Sequence, residues 1–424
     1  MHLGNLSRLA SLLALLVGCQ GLLTGCHNPT AETSPRNPAA PSLSNPFLEF
    51  LAQSPASQPT AYHRQFNTIC DQMLDLDSQV QLQPDAKYQH LDAILYDAQK
   101  RIHWNPAEPD QAKRRAQALE ALQTIQHILI EHNILYPPTG DILNMSQGLD
   151  LHKFSSGETG RSETIHAAAR NPQEAMVWLQ AHRSEDFRFM DCDVRCFVYL
   201  AIGQATSMPI HLVLLPTHAF VRVSIGDGAI SYVNWDVTSG TETSDDYFRR
   251  QYHVSTLNQQ QRLYMADLTP PELLGYYLYC RAMWQADMSP PRRVTEAADL
   301  KVSIDKYPQF DLSRNELAWL YLSVPGLRKG TTQETLKLAL SALAISPEDP
   351  TITDTVACAY AEFGDFDKAI SYENEALRLN DADTQSDPRD KTADRADYTA
   401  RLTLFKNHKT YLQSLNTNPN GTNP

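Results

Sequence analysis

The chain has few cysteines, no block of like charge and no apolar run long enough to span a bilayer as a permanent helix. Each lack excludes something. The seven cysteines are Cys19, Cys26, Cys70, Cys192, Cys196, Cys280 and Cys358. Two fall in the first 26 residues and the rest are scattered apart from Cys192 and Cys196, so they form no disulfide framework. The odd number beyond the leader leaves at least one thiol unpaired. Cys192 and Cys196 have no matching His or Cys pair, so neither a metal nor another cofactor is expected. A formal charge of -13, without clustered Lys and Arg, argues against nucleic acid as a partner. What is present is enough apolar sequence, 42% of residues, to bury real cores over a length that suits two or three domains.

Residues 1–26 carry one Arg followed by a short, interrupted apolar run, the pattern of a cleaved export signal. The end of this run, Leu23-Thr24-Gly25-Cys26, resembles a bacterial lipoprotein signal. The resemblance implies lipid on Cys26, an anchor that does not cross the membrane, and a place in the cell envelope facing the periplasm or exterior. Leu16-Val17-Gly18-Cys19 fits the same pattern. Cys26 is preferred because polar, Pro-rich sequence starts directly after it. Residues 27–46 read as a disordered tether.

Residues 47–135 read as a helical lead-in. Phe66, Ile69 and Met73, then Leu91, Ile94 and Leu95, then Ala118, Leu122, Ile125 and Leu129 recur at helical steps, the last set after the start signal Pro109-Asp110. A central region, 136–258, opens with a turn at 137–140 and a polar loop at 155–160, and a helix is expected from Asn171-Pro172 through Leu179. His152, His166 and His182 read as surface histidines.

The chemistry concentrates between Met190 and Gly240. Asp191 is a good N-cap for a mostly buried helix that places Cys192 in its first turn, where unpaired N–H groups and the helix dipole favour a thiolate. Asp191 and Asp193 act against that. Cys196, one turn on, reads as an inert core residue. A buried strand over 210–215 is followed by HAFVRVSI, in which His218, Phe220, Arg222 and Ser224 share one face, and by a returning strand that ends at Asp236. The turn decides their relation. A three-residue loop at 226–228 pairs Ile225 with Ala229 and sets His218 opposite Asp236; a two-residue loop at 227–228 sets Val237 there and turns Asp236 away. In the first case Cys192 attacks, His218 moves the proton and Asp236 orients the imidazole.

The stretch resembles the transglutaminase-like cysteine-enzyme superfamily, which shares its Cys-His-Asp logic with papain-type proteases. Cys192, Ser207-Met208-Pro209, His218-Ala219-Phe220-Val221 and Asp236-Val237-Thr238 stand at the family's spacing, which selects Cys192 over Cys196. Ser207, Val237 and Asp191 depart from the family's pattern and leave the substrate open. The resemblance implies a thiol enzyme that acts on amide bonds through an acyl-enzyme, hydrolysing rather than crosslinking. Members that lose activity serve as binding modules, which is the alternative; a structural envelope protein is a third. No oxyanion donor upstream is legible.

Residues 259–415 resemble tetratricopeptide repeats. At an offset of 34 residues, Leu322 matches Val356 and Ala342 matches Ala376, and an earlier unit runs from about Leu273 to Pro308. Val324–Gly330 reads as an insertion, 396–412 as a capping helix and 416–424 as a disordered tail. Such repeats imply a protein or peptide partner, or packing on the enzyme domain. The whole is expected to be α+β: helical lead-in, transglutaminase-like (papain-like) core with an antiparallel sheet, and C-terminal helical repeats.

Overall fold

The structure, a computed structural model, describes residues 45–53, 62–136, 142–153, 186–226, 231–327, 332–384 and 388–417. Cys19, Cys26 and the tether up to residue 44 lie outside these residues. So do the turn at 137–140, the loop at 155–160, the helix expected from Asn171, His166, His182 and residues 418–424.

The protein mixes helix and sheet. Three N-terminal helices form where their sequences start them well. Thr68 and Asp71 cap α2 (Ile69–Ser78) reciprocally, and Asp110 Oδ1 accepts the Ala112 and Lys113 N–H groups at 2.9 and 3.2 Å to open α4 (Gln111–Glu131). Between them runs α3 (Asp85–Arg101), and a short α1 (Pro46–Gln53) precedes them. Tyr88, Leu91, Leu95 and Ala98 of α3, and Ala118, Leu122, Ile125 and Leu129 of α4, form buried stripes at three- and four-residue steps.

A small sheet introduces the centre of the molecule. Its strands are β1 (Ile134–Leu135), β2 (His152–Lys153) and β3 (Asp186–Phe189), with β1 parallel and β2 antiparallel to β3. A single turn, α5 (Met145–Gly148), lies between β1 and β2. Then comes α6 (Cys192–Thr206), apolar almost all round and buried almost throughout, as a helix enclosed on every side must be. Ser207, in the left-handed region at φ 59°, ends it ahead of Pro209. Gly203 lets the chain fold back there, since a Cβ would stand 2.8 Å from the Met208 carbonyl oxygen.

An antiparallel sheet follows in sequential order: β4 (Ile210–Leu215), β5 (His218–Ser224), β6 (Tyr232–Asp236) and β7 (Thr241–Glu242). Ala219, Val221 and Val223 join the main core with α6. The other face of β5 carries His218 and Phe220 and packs on Phe248 of α7 (Asp245–Gln251). Both expected registers need correction. Val221 pairs with Trp235 and Ile225 donates to Ser231 O, so five residues separate the paired ends and His218 falls opposite Thr238. The shift from the three-residue turn is two residues. Parity is therefore kept, and Asp236 stays on the face of His218 as a diagonal neighbour.

After a short α8 (Thr256–Gln260), the rest of the chain is helical: α9 (Pro270–Asp287), α10 (Arg293–Lys306), α11 (Asp311–Ser323), α12 (Thr332–Ile345), α13 (Pro350–Phe363), α14 (Phe366–Ala382), α15 (Pro388–Lys406) and α16 (Tyr411–Thr417). Through α15 each packs chiefly on its chain neighbours, whereas α16 folds back onto α11 and α13 as well as α15. Gly275 permits a close crossing, for a Cβ there would meet Tyr307 Cβ at 2.8 Å. The expected capping helix is instead two, α15 and α16, broken near His408, whose φ is 53°. One continuous core runs from Phe47 to Phe310, so α9 belongs to the body of the molecule. Arg281 ties it there, with bonds to Asp299 at 2.8 and 2.6 Å and to the Leu76 carbonyl at 2.6 Å. Among the described residues, no helix is long and apolar enough to cross a membrane.

Candidate active site

Three elements converge on Cys192. β3 delivers the chain to the start of α6, where the Met190 N–H donates to Leu135 O at 2.9 Å. Asp191 then caps the helix: one carboxylate oxygen accepts the Val194 N–H at 3.2 Å and the other the Ile142 N–H at 3.1 Å. Such a cap is worth about 1 kcal/mol. Cys192 follows as the first helical residue, only 6% exposed. Its thiol lies by the start of β5, where the Ala219 backbone N–H favours its ionised form.

His218 is 5% exposed, and its Nε2 lies 3.2 Å from Asp236 Oδ1. Asp236 also accepts the Thr238 N–H and the Ser239 hydroxyl, each at 2.9 Å. Burial pushes the Asp236 carboxyl up, but the bonds from His218, Thr238 and Ser239 outweigh it and hold the group below its ordinary value. With Nε2 turned to Asp236, His218 Nδ1 is buried without a partner among the described residues. A buried ring nitrogen left open is uncommon.

The thiol itself is not pre-ionised. Burial pushes it well above its ordinary value, the charges of Asp193 and Asp191 push the same way, and only the Ala219 N–H pulls it down. Asp193 Oδ1 stands 4.0 Å from Sγ. That carboxyl is raised by burial and lowered by the Tyr276 hydroxyl and the charge of His218. Of the two carboxylates that push the thiol up, Asp193 is also close enough to feel the charge of His218, while Asp236 holds the Nε2 side of the ring. The expectation that the helix terminus makes a ready thiolate is corrected by this balance, in which burial and neighbouring carboxylates win.

The structure therefore sets Cys192 by Ala219 at the start of β5 and joins the neighbouring His218 to Asp236. Cys196 is fully buried one turn deeper, its thiol pushed well up by burial. Two neighbours were not legible in the sequence. Tyr252 stacks flat on the His218 ring, centroids 5.0 Å apart and planes 9° off parallel. Tyr276, which sequence reasoning assigned to the repeat region, reaches Asp193 from α9. No local pattern signals either. Among the described residues no group of three or more His, Cys, Asp or Glu side chains is placed to hold a metal ion.

No protein-family model matches the chain, and no curated protein matches it in sequence.

Proposed function

We propose that the protein is a transglutaminase-like thiol hydrolase that cleaves an amide bond through an acyl-enzyme at Cys192. The observation that carries this reading is His218 Nδ1: buried, unpartnered among the described residues, and on a ring whose other nitrogen is held by Asp236 at 3.2 Å. The thiol proton passes to Nδ1 as sulfur attacks the carbonyl carbon, and Asp236 with Asp193 steadies the imidazolium. The Cys192 N–H, first of its helix and lacking an intrahelical acceptor, is in place for the developing oxyanion. His218 returns the proton to the departing amine, and water then frees the acyl group. Because burial and carboxylates hold the thiol protonated, His218 acts as a general base in the step itself.

The chain's delivery belongs to the same reading. Export, lipid on Cys26 and attachment to an envelope membrane place the site next to proteins or peptides outside the cytoplasm, and α9–α16, read as tetratricopeptide-like pairs, recruit them. The buried thiol and the Tyr252 stack favour one rival, a catalytically silent binding module of the same fold.

The deciding experiment is acylation of the full-length chain by p-nitrophenyl acetate. A burst is expected with acetyl recovered on Cys192, unchanged in Cys196→Ser, absent in Cys192→Ser and slower by about 10²- to 10⁴-fold in His218→Ala. A wild type no faster than Cys192→Ser establishes the binding module.

A further inference from the structure

Three contacts fasten α7 along the face of β5 that is turned from the main core, and they run in step. On the strand, Arg222, Phe220 and His218 alternate onto that face. On the helix, Asp245, Phe248 and, just past its end, Tyr252 stand three and four residues apart and so share a face as well. Arg222 Nη2 donates to Asp245 Oδ1 at 3.2 Å. Phe220 and Phe248 stack with centroids 4.1 Å apart, and His218 and Tyr252 stack at 5.0 Å. The spans agree, since four residues of strand cover about 13 Å and seven of helix about 10 Å.

A helix this short does not stand by itself, so its contacts place it. The Asp245 end is tied by several bonds. Its Oδ1 also accepts Asn234 Nδ2 at 2.6 Å, its Oδ2 accepts the Tyr232 hydroxyl at 2.7 Å, and Arg222 Nε donates to Asn234 Oδ1 at 2.8 Å. Each of these groups offers the Asp245 carboxylate a donor. At the other end Tyr252 covers the His218 ring, whose Nε2 faces Asp236. Asp236 fixes which nitrogen is turned away from it, and the stack fixes the plane of the ring. The two together give Nδ1 one direction.

We propose that Arg222 and Asp245 are positioning residues for the His218 imidazole, acting over about 13 Å of strand through α7 and the Tyr252 stack. The proposal rests on His218 being the base of the proposed function, where a ring held in one plane spares the reaction a search for the productive orientation. The coupling is mechanical: the ion pair docks one end of the helix, Phe248 is the middle rung, and the far end sets the ring.

The test is the ¹³Cε1–H resonance of His218 in the full-length chain labelled at its 14 histidines, assigned by its loss in His218→Ala. Tyr252→Ala, which deletes the stack, sets the size of the shift. Asp245→Asn keeps the volume but turns an amide N–H₂ toward donors, and it leaves Arg222 its bond to Asp267 at 2.9 Å, so no buried charge is stranded. It should move the His218 resonance in the same direction, by most of the Tyr252→Ala shift. Arg222→Lys, which keeps the charge and loses the fork, should do likewise. In the Tyr252→Ala background neither should add anything. Tyr252→Phe, which keeps the ring, should leave the resonance near its wild-type place. His90 and His132, whose rings meet edge to face at 5.4 Å, report the fold and should stay in place throughout. A His218 resonance unmoved in both Asp245→Asn and Arg222→Lys, or moved equally with and without Tyr252, overturns the proposal. The acetyl burst tests the base separately: a resonance that moves as expected in a protein without a burst removes the base and keeps the positioning.

Discussion

Cys192 and Cys358 each have a sulfur 4.0 Å from an aspartate oxygen, Asp193 Oδ1 and Asp354 Oδ1, and burial pushes both thiols well up. Their surroundings differ in one respect that matters. The cation beside Cys358 is Arg401, whose Nε lies 2.6 Å from Asp354 Oδ1 and whose guanidinium is framed by Trp319, Tyr398 and Tyr411 at 5.4–5.7 Å. A guanidinium is always charged and accepts no proton. The base on the Cys192 side is the His218 imidazole, next in the chain to Ala219, with one nitrogen held by Asp236 and the other open. Cys358 also sits in the interior of α13, where the backbone N–H groups are spent on the helix, whereas Cys192 sits at the end of α6, where they are not. A buried ionic cluster alone is therefore no sign of chemistry. A base with an open nitrogen near a thiol at a helix N-terminus is what the proposed function rests on.

The largest expected effect on stability falls in the C-terminal cluster. Arg401→Met leaves the buried Asp354 and Glu373 without their cation and should cost about 3–5 kcal/mol in a denaturant titration. His218→Ala removes a ring from its stack on Tyr252 and an exposed-side bond to Asp236, and should cost about 1–2 kcal/mol. Equal costs for the two would erase the distinction between a cluster that compensates buried charge and one that holds a ring nitrogen open.

The pH dependence of stability should run in opposite directions in the two clusters. Asp236 is held below its ordinary value, so its contribution is present above the unfolded carboxyl pKa, near 4, and is lost as pH falls through the lower folded value. Glu373 is the reverse. Burial first, and then the charge of Asp354, push it well up, so the folded state holds its proton more tightly than the unfolded chain. Stability then falls as pH rises from about 4.5 toward the raised value. Thermal melts across pH should show Asp236→Asn flattening the acid limb alone and Glu373→Gln the other limb alone. If each variant flattens both limbs, or neither, the assignment of charge states is wrong.

The contrast also explains what could be read from the chain beforehand. Asp191 as cap, Cys192 as first helical residue and the alternation of β5 are local patterns, and the helix and strands stand where those patterns put them. The turn was not legible at the level needed, because a loop's length follows from how its residues fold and not from the apolar alternation flanking it. His218 and Asp236 nevertheless share a face, since the register moved by two residues and the side-chain period is two. Tyr252 and Tyr276 reach the site from 34 and 58 residues beyond His218 through packing that no periodicity records. The cluster of Asp354, Glu373 and Arg401 was hidden for a related reason: charged residues in helices ordinarily face water, and only the packing of α13, α14 and α15 encloses these.

The smallest expected effect concerns the aromatic covers, and it separates the two sites most finely. Tyr252 lies flat on His218, while Tyr411 lies over Arg401. Removing either ring by substitution with alanine should cost a similar amount, about 0.5–1.5 kcal/mol beyond the area lost. Their effects on the thiols should diverge. Under the proposed function, opening the Tyr252 side exposes a thiol that His218 serves, so iodoacetamide should label Cys192 severalfold faster in Tyr252→Ala at neutral pH, and His218→Ala added to it should abolish the gain. Tyr411→Ala should leave Cys358 as unreactive as before, because exposure without a proton acceptor leaves that thiol protonated. Faster labelling of Cys358 in Tyr411→Ala would mean that access, and not the imidazole, sets the reactivity of both thiols.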